Sequence, residues 1–145
     1  MSNAGQHVKT LIQDMVVDRN QYLLLSERLE AQREGIILRD VVALEGINQE
    51  IIALYQQLSE SGKKRHGLLK VLGIPAGAKG LKTLFDRLPE SWQTQVRQLW
   101  QELENVAASC KKANDANGML LTMQNDILQN LLNVTEPANW LYQKS

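Results

Sequence analysis

Long stretches without proline and with apolar residues three or four positions apart leave this chain few options except long helices. Its three prolines stand at 75, 89 and 137, so residues 1–74 and 90–136 contain none. Proline removes a backbone donor and clashes with the preceding turn, so these are the stretches a helix can occupy without a break. Two-residue alternation, the mark of a half-buried strand, is not convincing anywhere along the chain. The expected fold is all-α.

The first helix is expected over 7–34. Val8, Leu11, Met15, Tyr22, Leu25 and Leu29 form its stripe, with Asp18 the one polar member, and Gly35 is either a stop or only a kink in a longer helix. A second helix over 40–72 is capped by Asp40. Its stripe is Val41, Leu44, Ile47, Ile51, Leu54 and Leu58, close to the 3.5-residue period of bundles. The stripe turns polar at Ser61 and Arg65 before resuming at Leu68 and Leu72, as if the partner helix ended there or the surface met water.

Residues 73–80 hold three glycines and Pro75 and read as a loop. A short helix over 81–87 follows, with Leu81, Leu84, Phe85 and Leu88 on one face. Pro89 suits the first turn of the next helix, where its missing N–H costs nothing. That helix is expected over 89–134, followed by a tail over 135–145. Its stripe runs through Trp92, Val96, Leu99, Leu103, Val106, Cys110, Ala113 and Asn117, with Gly118 a weak point. The architecture that fits is a single elongated antiparallel bundle of three long helices and one short one.

Composition narrows the function. Hydrophobic residues make up 43% and charged residues 22%, which suits a globular chain. Lys+Arg and Asp+Glu are 16 each, so the basic surplus of a nucleic-acid binder is missing. The longest apolar runs are a few residues, against roughly 20 for a bilayer span, and the start does not read as a signal peptide. Met1-Ser2-Asn3-Ala4 resembles a cloning remnant and carries no weight. A cytoplasmic protein without membrane insertion is expected. A single cysteine, Cys110, rules out an internal disulfide, and with His7 and His66 the only histidines neither metal nor cofactor is expected.

Two motifs invite enzymatic readings. Residues 65–70, around His66, resemble a histidine phosphotransfer signature, but Leu69 and Lys70 stand where it needs Lys and Gly. Residues 73–80 resemble a phosphate-binding loop, but Ala78 and Gly80 occupy its required Gly and Ser/Thr positions. The chain is read as a non-enzyme.

What remains is surface. The last helix carries Leu120, Ile127 and Leu131, and beside them Leu121, Leu128 and Leu132, which is one stripe more than a bundle helix needs. Trp140, Leu141 and Tyr142 add large apolar side chains to the tail, and Trp and Tyr are favoured interface anchors. These nine residues are the expected partner-binding set. Residues 1 to about 115 are expected to hold the fold.

The motifs resemble those of the FlgN family over nearly the whole chain. The resemblance rests on Glu27-Arg28-Leu29, Asp40 with Leu44 and Ile47, Ile51-Ile52 with Leu54, Arg65 with Leu68-Leu69 and Leu72-Gly73, and Leu88-Pro89. Asn114 with Asn117-Gly118 and Leu120-Leu121 is its most specific element. Gln49-Glu50 departs from the Lys usual in members. The resemblance implies an export chaperone for the hook–filament junction proteins, holding their amphipathic terminal helices, with the flagellar export machinery as second partner. A monomer is the expected state. Two other readings are a coiled-coil adaptor or oligomerising protein, and phosphotransfer through His66.

Overall fold

The computed structural model describes residues 4–75 and 77–135. Among the described residues there are four helices: α1 (Ala4–Leu38), α2 (Val41–Val71), α3 (Ala78–Asp86) and α4 (Glu90–Thr135). The all-α bundle expected from the apolar rhythm is observed. α2 lies antiparallel to α1, since Gln32 meets Asn48 at one end and Asp18 meets Arg65 at the other. α4 runs parallel to α1, so consecutive long helices alternate in direction. None of the helices is long and apolar enough to cross a membrane, among the described residues.

The α1–α4 register is regular. Cys110 Sγ donates to the Tyr22 carbonyl at 3.3 Å, Asn117 Nδ2 to that of Leu29 at 2.9 Å, and Gln124 Nε2 to that of Ile36 at 3.0 Å. Each pair is 88 residues apart in sequence, and the pairs recur every seven residues. This is the heptad spacing of two helices packed along a common seam. The buried Cys110 thiol is weakly acidic, because burial disfavours its thiolate.

Two apolar clusters fill the interior. One joins Leu11 and Met15 of α1 to Leu69, Ile74, Leu81, Phe85, Val96 and Leu103. The other joins Leu25 and Leu29 to Ile51, Leu54, Leu58 and Cys110. Between them sits Asp18, 2% exposed, in an ion pair with Arg65 at 2.8 Å. The guanidinium of Arg65 also lies 5.4 Å from the centre of the Trp100 ring. The two polar interruptions of the stripes therefore face each other. Arg65 marks neither the end of the partner helix nor an open surface.

The helix ends differ from the sequence expectation for local reasons. Gly35 does not stop α1. It is buried, and a Cβ there would come within 2.9 Å of the Leu44 side chain, so its role is close approach to α2. The reversal comes at Arg39 (φ 56°). There Asp40 N–H donates to the Gly35 carbonyl at 2.9 Å and Arg39 N–H to that of Ile36 at 3.2 Å, the Schellman pattern. The Asp40 carboxylate then accepts from Ala43 N–H at 3.1 Å and caps α2. The second turn repeats the device with glycine. Ile74 N–H reaches the Leu69 carbonyl, Gly73 N–H reaches that of Lys70, and Ile74 packs in the same cluster as Leu69.

The expected loop over 73–80 is shorter than its composition implied, because Ala78, Lys79 and Gly80 already belong to α3. Gly80 sits against the turn so closely that a Cβ would overlap the Pro75 carbonyl. Pro89 stands just before α4, and its carbonyl accepts from Trp92 N–H at 2.8 Å. Trp92 stays 41% exposed instead of opening the core stripe.

A non-glycine residue in the left-handed region carries a steric cost of roughly 1 kcal/mol. Arg39→Gly removes it and is expected to raise the melting temperature by about 2–4 °C. A scanning-calorimetry comparison showing an unchanged or lower value would mean that the Arg39 side chain stabilises the turn in some further way.

Candidate protein-binding surface

α4 spans 46 residues, roughly 69 Å at 1.5 Å per residue, and continues through Gly118. α1 is shorter. With the constant offset of 88, its last residue, Leu38, lies level with Asp126. Asn117 and Gln124 still bond α1, so the bundle extends past the boundary near 115 expected from the stripes. Asn117 also reaches Gln32 Oε1 at 2.9 Å. Beyond Asp126 the helix projects past the end of α1, and the side chains described there are all exposed.

The expected binding residues differ in exposure. Leu120 is half-buried against the bundle. Leu121, Ile127, Leu128, Leu131 and Leu132 are exposed, Leu128 to 46%. The overhang thus presents apolar side chains from both stripes. Trp140, Leu141 and Tyr142 lie outside the described residues.

Sequence reasoning missed the apolar residues at the α1–α2 turn. Ile37, Leu38, Val41 and Val42 are all exposed, Leu38 to 76% and Val42 to 83%. Val41 heads the second helix's stripe in the sequence, yet it stands where α1 has already ended. The signal was present in Ile36-Ile37-Leu38 and Val41-Val42, since one buried stripe cannot absorb consecutive apolar residues on a helix.

Charge is scarce along the C-terminal part of α4. Asp126 is the one charged residue between Asp115 and Glu136. Leucines, methionines and amides make up most of the rest, with Met119 and Met123 exposed. Such a surface binds through apolar contact and shape, and Met adapts to irregular partners.

The enzymatic alternatives find little support in the geometry. His66 is exposed, but Leu69, standing where a phosphotransfer signature needs Lys, is 2% exposed in the core. Among the described residues no group of three or more His, Cys, Asp or Glu side chains could hold a metal ion. A groove of about 350 Å³ between α3 and α4 is lined by Leu81, Phe85, Trp100 and Arg97 among others, and contains no Ser, Cys or His. Phe85 and Trp100 meet there edge to face at 6.5 Å.

No curated protein and no solved structure matches the chain. A family model described as FlgN protein matches residues 1–143. With nearly its full length matched, the chain belongs to the FlgN family of flagellar export chaperones.

Proposed function

We propose that the protein binds the amphipathic terminal helices of hook-associated proteins on the α4 overhang and delivers them, in the cytoplasm, to the flagellar export machinery. The observation that carries this reading is the apolar length of α4 beyond the end of α1, with Ile127, Leu128, Leu131 and Leu132 exposed. An unassembled junction protein has terminal helices whose apolar faces lack a partner. Covering such a face by helix-in-groove packing prevents premature assembly and degradation. Trp140, Leu141 and Tyr142 extend the apolar surface in sequence and support the same contact.

Ordering a free terminal segment costs part of the contact free energy, so the complex is releasable. Affinity is expected to be roughly micromolar. Because the surface is nearly uncharged, raising salt from 0.05 to 0.5 M should change the Kd less than about threefold. Titration calorimetry with peptides from the two hook–filament junction proteins checks both points. An absence of binding to either peptide would sink the reading. A steep loss with salt would move the contact to a charged face of the bundle.

A further inference from the structure

We infer that the α1–α2 turn is the second wall of the client site: the client helix lies on α4 in the track that α1 vacates, with one end against Leu38, Val41 and Val42. This rests on the proposed function and adds the position and orientation of the bound helix.

The first support is continuity with an established interface. α4 contacts α1 at Cys110, Asn117 and Gln124, and the next position of that heptad is Leu131. The seam continues, but α1 does not, because the Arg39 reversal sends the chain back down the bundle. A helix from outside therefore meets α4 in the same register, with Leu131 where side chains lower down donate to the α1 backbone. Placed in that track, it begins where Leu38 ends α1.

The second support is what the turn displays. Its geometry requires a left-handed residue and a cap, supplied by Arg39 and Asp40. Its inward packing is provided by Ile36, 1% exposed, and by Leu44 against Gly35. Neither requirement accounts for Leu38, Val41 and Val42, which project into solvent from a backbone already fixed by hydrogen bonds. An apolar knob held on a hydrogen-bonded turn at the end of α1 loses little entropy on binding. The sparse charge of the adjoining α4 segment gives the partner's chemistry: a helix with Leu-, Ile- or Val-type residues at 3–4 spacing on the bound face and an apolar residue near its inner end.

The test uses substitutions that leave the fold intact. Val41→Glu with Val42→Glu places acidic residues in the first turn of α2, which has none and where the helix dipole favours them. The full-length double variant should keep its helical circular dichroism and melting temperature. It should bind a synthetic peptide of a hook-associated protein's terminal helix at least tenfold more weakly. Leu38→Ser, on the other side of the turn, should weaken the same peptide in the same direction and serves if the double variant folds poorly. Wild-type affinity in the folded turn variants, alongside weak binding by Leu128→Asp, overturns the inference and leaves the proposed function standing. Wild-type affinity in all three removes the proposed function as well. Sedimentation showing that the wild type self-associates through the turn, with peptide binding untouched by the variants, assigns the turn to a second copy of the chain and overturns the inference.

Discussion

Arg65→Ala should destabilise the free protein by about 3–5 kcal/mol, because it leaves the Asp18 carboxylate buried without its counter-ion. Asp18 is 2% exposed between the two apolar clusters, and Arg65 Nη1 is 2.8 Å from Oδ2. The variant also removes the guanidinium stacked over Trp100, so lost packing adds to lost charge compensation. In a domain of this size the loss lowers the melting temperature on the order of 10 °C. Urea unfolding followed by tryptophan fluorescence measures it. The companion experiment removes both charges: Asp18→Leu with Arg65→Met should recover most of the lost stability, since an apolar pair of similar volume avoids desolvating two ions. A single variant as stable as wild type would mean that the carboxylate finds water or another donor, and that the pair is incidental to the bundle.

Leu128→Asp carries the largest expected effect on binding. Leu128 is 46% exposed on the overhang, so the free protein has little packing to lose there. Its stability should fall by less than about 1 kcal/mol, the sum of a weaker helix former and an acid near a helix C-terminus. Client affinity should fall on the order of a hundredfold, because the new carboxylate would be desolvated against an apolar face without a partner. Calorimetric titration and a thermal melt on one preparation separate the two effects. Large melting-point loss in the free variant would place Leu128 in the bundle's own packing. Undiminished client binding would take the contact off this stripe.

The sequence was most legible where one periodic face met one buried surface. Leu11, Met15, Leu25, Leu29, Ile51, Leu54, Leu58, Leu99 and Leu103 were read as core from spacing alone, and they are buried. Asp18 and Arg65 could not be paired in advance. Each is a polar interruption in its own helix, and that they face each other depends on the offset between two helices, which periodicity does not contain. Gly35 misled for a similar reason: a glycine that lets helices approach and one that ends a helix look alike in one dimension. The overhang was half legible. A doubled apolar stripe announced surplus surface, but which residues escape the bundle depends on where α1 ends, and that is set by an arginine in a backbone region usually left to glycine. The exposed turn residues went unnoticed because Val41 fits the stripe of α2 perfectly well until its partner is seen to stop short.

The constant 88-residue separation between α1 and α4 also orders the events of folding. Contacts between α1 and α2 close much shorter segments, 16 residues for Gln32 with Asn48 and 47 for Asp18 with Arg65. Closing 88 residues instead of 16 costs about 1.5 kcal/mol more chain entropy. The α1–α2 pair can zip outward from its capped turn while α4 is still searching, and on the ribosome α4 is also made after both. Until α4 arrives, the buried stripe of α1 remains half covered, and the newborn chain is itself a protein with an orphaned apolar helix face. On the proposed function, it meets during its own synthesis the same hazard from which its clients are shielded.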